Sequence, residues 1–171
     1  MAPNAEHDWQ RLSREEASAL HQKLNVVSTI ELLNCPHKRV ADLAAEELAT
    51  RGASEPVSSA VIRGSFTKKK AKLRALYVLQ VLGARDAESL RVYRLLAGDR
   101  DPDVVGSALF GIVFSRDKEA LPGLRELLSG ESKPALEFLY KRAIWSLSAN
   151  MPHEFSPDFY DLNNVWGLRN Y

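Results

Sequence analysis

An alanine followed four residues later by a large aliphatic residue recurs four times along the chain, at Ala44/Leu48, Ala75/Leu79, Ala108/Ile112 and Ala143/Leu147. The alanines are 31, 33 and 35 residues apart. A step of four puts two side chains on one face of an α-helix, and recurrence at this period marks a helical element repeated in tandem. A shorter apolar stretch precedes three of the anchors at Leu32-Leu33, Leu95-Leu96 and Leu127-Leu128. The second repeat has the weaker Ala60-Val61-Ile62 in that slot. The pattern predicts four pairs of helices. The second helices are expected near 37–51, 68–83, 102–115 and 133–149, the first near 28–34, 55–65, 86–97 and 117–128, and a leading helix near 14–24.

The punctuation between these stretches agrees. Gly52 and Gly83 each fall eight residues after an anchor alanine, where a glycine can take the left-handed conformation that ends a helix. Gly98 and Gly130 can close the Leu-Leu helices. Asp101-Pro102 is a helix start: the carboxylate accepts from free helical N–H groups, and the proline lacks the one that would be orphaned. Ser13 with Glu16 and Ser28 with Glu31 have the spacing of a capping box, and Asp86 and Asp117 read as further caps. No stretch alternates with period two between turn dipeptides, so strands are not expected.

With 171 residues, 45% of them hydrophobic and 26% charged, the chain suits one folded domain and not a disordered one. Its 23 basic and 22 acidic residues leave a net charge of +1, so attraction to nucleic acid or an anionic membrane has to come from a local patch. Cys35 is the only cysteine and no intramolecular disulfide is possible. The N-terminal residues lack the pattern of a secretory signal, and no apolar run is long enough to span a membrane, which points to the cytosol.

The run from Leu95 through Gly98, Asp101-Pro102 and Val104 to Ala108 and Ile112 resembles the HEAT repeat, with its leucine-rich helix, Asp-rich turn and second helix. The resemblance covers about residues 26–150 and is closest in the third repeat. HEAT repeats often carry Arg after the turn-proximal Val; here that position is Val105, and only the second repeat has a base there, Lys72. The resemblance implies an all-α fold, an α-α superhelix (HEAT-like solenoid) of about four helix pairs with a C-terminal aromatic capping tail. Residues 1–27 then form an N-terminal cap, 28–150 the repeats and 151–171 the tail, in one domain.

In such a stack the second helices line the concave side. At about 100° per residue, the position two beyond each anchor lies about 200° from the core. Those positions are Glu46, Tyr77, Phe110 and Trp145; one before each anchor come Leu43, Arg74, Ser107 and Arg142, also expected to point largely outward. Aromatic residues with Arg74 and Arg142 along one groove suit a protein-binding surface. A register shifted by one residue would instead place Tyr77, Phe110 or Trp145 in the core.

Lys68, Lys69, Lys70 and Lys72, followed by Arg74, form the sharpest charge cluster and are candidate phosphate contacts. A solvated helix end is the plainer reading, since no similar cluster recurs. Asp99-Arg100-Asp101-Pro102-Asp103 lacks the glycine and terminal glutamate of a calcium loop. Cys35-Pro36-His37 is too isolated for a zinc site, His153-Glu154 is a single His-Glu pair, and no nucleophile elbow or phosphate loop occurs. No metal, cofactor or catalytic constellation is expected.

Residues 151–171 hold Phe155, Phe159, Tyr160, Trp166 and Tyr171, five of the 14 aromatics. They read either as a cap on the last repeat or as part of a binding or self-association surface. The chain is thus expected to be a non-enzymatic protein-binding module, such as an inhibitor or immunity-type protein acting on a partner protein. The alternative is a nucleic-acid binder using Lys68–Arg74.

Overall fold

In a computed structural model, residues 13–149 are described, and they form helices and turns without a strand. They fall into two compact units that divide after Leu82. The first contains α1 (Arg14–Lys23), α2 (Val26–Glu31) with a 3-10 turn at Leu32–Asn34, α3 (Lys38–Thr50), α4 (Ser54–Ile62) and α5 (Lys69–Val81). The second contains α6 (Ala87–Ala97), α7 (Pro102–Phe114), a 3-10 turn at Lys118–Ala120, α8 (Leu121–Ser129) and α9 (Pro134–Ser148).

Within the first unit α2 packs on α3, α4 on α5, and α3 on α5. Within the second α6 packs on α7, α8 on α9, and α7 on α9. Each unit therefore holds two consecutive helix pairs whose second members touch. All eight anchor residues lie in the core, from Ala44 and Leu48, both fully buried, to Leu147 at 3% exposure. The four-residue step found in the sequence is the step that fills the interior.

The ends of the helices follow local chemistry, with some differences from expectation. Ser13 and Glu16 form the reciprocal capping box of α1: the Glu16 N–H donates to Ser13 Oγ at 3.2 Å and the Ser13 N–H to Glu16 Oε2 at 2.7 Å. Ser28 does not cap α2. Asn25 does, accepting from the Ser28 N–H at 2.8 Å, so the helix starts earlier than the Ser28/Glu31 spacing implied. Asp86 and Asp101 cap α6 and α7 as expected. Asp117 makes no capping bond, because its carboxylate is taken by Arg94.

Gly52 and Gly83 have φ of 66° and 59°. The third repeat reaches the same bend without a glycine: Arg116, eight residues after Ala108, has φ 58°. In both the first and third repeats an N–H one residue further on reaches back to the anchor aliphatic, from Ala53 to the Leu48 carbonyl and from Asp117 to that of Ile112, each at 3.0 Å. This six-residue closure is the Schellman motif, which requires the left-handed residue.

Polar ties hold the helices within each unit. Arg51 on α3 donates to the carbonyls of Leu24 at 2.6 Å and His21 at 2.7 Å, which adds to the capping of the carbonyls at the end of α1. Buried Tyr140 on α9 donates to the carbonyl of Ala97 at the end of α6, at 2.8 Å.

Candidate functional site

The residues two beyond each anchor leave the core, as the helical geometry requires. Glu46, Tyr77 and Phe110 are half-buried and Trp145 is 45% exposed. Three of the four residues one before each anchor do not. Leu43 and Ser107 are buried, and Arg74 is spent on structure. Its Nε donates to Asp42 at 2.7 Å, Nη1 donates to the Leu33 carbonyl at 3.2 Å, and both side chains of the ion pair are only 11% exposed. At about 260° from the anchor these positions lie on the flank of the helix, so the outward expectation fails for Leu43, Arg74 and Ser107, while Arg142 is half-buried beside Trp145.

In the first unit Glu46 lies on α3 and Tyr77 on α5. Burial, then Glu46 and then Asp42, push the Tyr77 phenol above its ordinary range and keep it neutral. Glu46 also meets Arg14 of α1 at 3.4 Å across an exposed pair. Lys68, Lys69 and Lys70 are exposed where α5 begins, and Lys72 is half-buried. Lys68 occupies the cap position without a side-chain capping bond. These cations sit at the positive end of a helix, an arrangement that disfavours them.

The second unit carries the more developed surface. On α7 the rings of Phe110 and Phe114 stack with centroids 5.5 Å apart and planes 18° apart. Phe114 is 54% exposed, and the guanidinium of Arg85 lies 6.0 Å from its ring centroid. On α9 the guanidinium of Arg142 lies 5.6 Å from the ring of Trp145, and Phe138 is 48% exposed. Both cations are within the distance at which a ring quadrupole attracts them. Phe138 and Trp145 are seven residues apart and Phe110 and Phe114 four apart, so each pair shares a helix face. α7 and α9 pack together, and each carries one of these outward faces.

Phe114, Phe138 and Arg85 were not picked out from the sequence, although spacing could have found two of them. Phe114 stands four residues after Phe110, and Phe138 seven before Trp145. Arg85 lies in a connecting segment with no period, and only the fold brings it over Phe114.

An open groove of about 640 Å³ lies in the first unit between α2 and α4. Its apolar lining includes Val27, Ile30, Ala60 and Phe66, and Glu31, Glu55 and Arg63 also line it. Among the described residues, no helix is long and apolar enough to cross a membrane. The chain matches no family model, and no significant similarity links it to a curated protein or a solved structure.

Proposed function

We propose that this chain is a HEAT-like α-α superhelix of about four helix pairs with a C-terminal aromatic cap, serving in the cytosol as a non-enzymatic protein-binding module. The repeated anchors and the pairwise helix packing within each unit support the architectural part. The observation that carries the functional part is the pair of cation-ring contacts on the outward faces of α7 and α9, Arg85 over Phe114 and Arg142 over Trp145.

Large rings half open to water are costly unless something covers them, and Trp, Tyr and Arg supply much of the energy at protein interfaces. An arginine already stacked on a ring has given up part of its rotamer freedom before a partner arrives, which lowers the entropic cost of docking. In this reading the partner-binding residues are Phe110, Phe114, Arg142 and Trp145, with Glu46 and Tyr77 as further candidates on the first unit. An inhibitor or immunity-type protein that occludes a partner fits such a surface, as does an adaptor. Affinity capture from the source cells with wild type and Trp145→Ala tests it. A partner retained by wild type and lost by a variant of unchanged helical content supports the reading. Equal retention by both opposes it.

A second reading is favoured by charge. Between Glu55 and Leu82 there is no acidic residue, while Arg63, Lys68, Lys69, Lys70, Lys72 and Arg74 fall in that interval. A nucleic-acid binder centred on Lys68–Arg74 would grip duplex DNA or RNA with an affinity that collapses as salt is added and would lose it in Lys69→Glu. The engagement of Arg74 by Asp42 removes one of those cations and weakens this reading.

A further inference from the structure

The charges around the rings of α7 and α9 specify the chemistry of the partner. We infer that this surface binds an acidic protein segment in which carboxylates are interleaved with apolar side chains, with Arg85 seating a carboxylate against the ring of Phe114. The inference rests on the protein-binding reading above and adds the class of partner to it.

The second unit is neutral as a whole and uneven in detail. From Gly83 to Ala149 it has ten basic and ten acidic residues. Yet no charged residue occurs between Val104 and Ser115, and after Glu137 the charges of α9 are Lys141 and Arg142 alone. Glu137 is itself paired with Lys141. The acids lie mainly on α6, α8 and the turns, and Asp117 among them is held by Arg94.

Lys133, at the cap position of α9, reaches the Arg100 carbonyl just before α7 at 3.5 Å, so the two packed helices start together and run in the same direction. Phe114 stands twelve residues beyond Pro102 and Trp145 eleven beyond Pro134, which sets the two rings at one level. Each has a guanidinium over it, and Arg116, two residues after Phe114, is exposed as well.

Stacking uses the flat face of a guanidinium and leaves its N–H donors at the edge, in the plane where a carboxylate docks side-on. Arg85 is exposed and makes no ion pair among the described residues. A carboxylate there gains a charge-assisted pair with the Phe114 ring as its back wall. The open parts of Phe114, Phe138 and Trp145 favour apolar side chains beside it. A basic partner would set like charges together. A second copy meeting the same face would do so too, guanidinium against guanidinium. Nucleic acid draws its affinity from many summed phosphate contacts, which a neutral unit with a few arginines does not offer.

Fluorescence anisotropy with the full chain tests this, using four fluorescein-labelled probes of equal length. They are a peptide interleaving Asp with Leu and Phe, the same peptide with Lys for each Asp, the same with Ser for each Leu and Phe, and oligo-dT. The Asp/apolar peptide is expected to bind about tenfold more tightly than the other three. Arg85→Glu is expected to weaken it about tenfold and Arg85→Lys about threefold, since an ammonium lacks the planar fork. Arg85→Lys is the deciding variant if Arg85→Glu lowers helical circular dichroism. No binding of the Asp/apolar peptide up to about 1 mM, or binding indifferent to the Arg85 variants, overturns the inference. Equal affinity for the Lys peptide, lost in Trp145→Ala, overturns it while leaving the protein-binding reading in place. Tighter binding of oligo-dT overturns both.

Discussion

Gly111 of α7 leaves the room that the ring of Tyr93 on α6 fills. A Cβ at position 111 would stand 2.5 Å from Cδ1 and 2.6 Å from Cε1 of that ring, closer than side-chain carbons approach. Tyr93 is 2% exposed, and burial raises its phenol far above the ordinary range, so it remains a neutral packing element at any ordinary pH. Gly111→Ala therefore sets two effects against each other. Helix propensity gains about 1 kcal/mol, while overpacking a rigid core costs about 1–3 kcal/mol. With the contact on the ring itself rather than on a flexible side-chain end, the loss wins. Urea unfolding is expected to show destabilisation of about 1 kcal/mol or more, and a stabilised Gly111→Ala would contradict the α6–α7 packing described.

The bend after α7 gives the opposite sign. Arg116 adopts φ 58° where Gly52 and Gly83 adopt 66° and 59°. The left-handed region costs an L-residue about 1–2 kcal/mol, and a glycine returns about 0.4–1 kcal/mol of that through the freedom of the unfolded chain. Arg116→Gly is expected to raise stability by about 0.5 kcal/mol, measured by thermal or urea unfolding. Gly52→Ala should lower it by about 1 kcal/mol through backbone strain alone, since nothing lies within 4 Å of the added carbon.

Arg94 grips Asp117 through two nitrogens, Nε at 2.6 Å and Nη2 at 2.5 Å, and Nη2 also reaches Glu119 at 3.0 Å. The Asp117 side chain is 3% exposed and that of Arg94 37%. Removing the arginine strands a buried carboxylate, which in a dry interior costs about 3–5 kcal/mol; the exposure of Arg94 lets water relieve part of it, for an expected loss of about 1–2 kcal/mol in Arg94→Ala. Denaturant midpoints for Arg94→Ala and the double variant Arg94→Ala/Asp117→Ala check this. The second change should restore part of the loss.

His21 makes stability depend on pH. Its side chain is fully buried against α3, and burial lowers its pKa below 6.5, against opposing contributions from Glu47 and the Val40 backbone and with a smaller one from Arg51. A lowered native pKa means the unfolded chain binds the proton more readily. The stabilising share of neutral His21 is therefore complete above pH 6.5 and is lost as pH falls through the native pKa. Unfolding free energy measured against pH is expected to drop on the acid side in wild type and to drop less in His21→Gln. Identical slopes would contradict the assignment.

Much of the helical plan could be read from residues close together in sequence. Anchor alanines, the Ser13 box, Asp101-Pro102 and the positive-φ glycines act within a turn or two, and the helices fall near their expected bounds. The misreadings involved partners distant in the chain. Asp117 looks like a cap until Arg94, 23 residues earlier, takes it, and Arg74 looks like a groove residue until it meets Asp42, 32 residues earlier. The same limit governed the surface: Phe110 and Trp145 follow from angle alone, whereas Arg85 over Phe114 depends on how a loop is laid.

Partner affinity across the two candidate surfaces tests the central claim most directly. With a partner recovered by affinity capture, its dissociation constant is measured for wild type, Phe114→Ser, Trp145→Ala and Lys69→Glu at low and high salt. The aromatic variants are expected to weaken binding by about tenfold or more, equivalent to about 1.4 kcal/mol, with little change in Lys69→Glu and only a shallow salt dependence. Binding that survives both aromatic substitutions, disappears in Lys69→Glu and falls steeply with salt would contradict the account and place function on the basic start of α5.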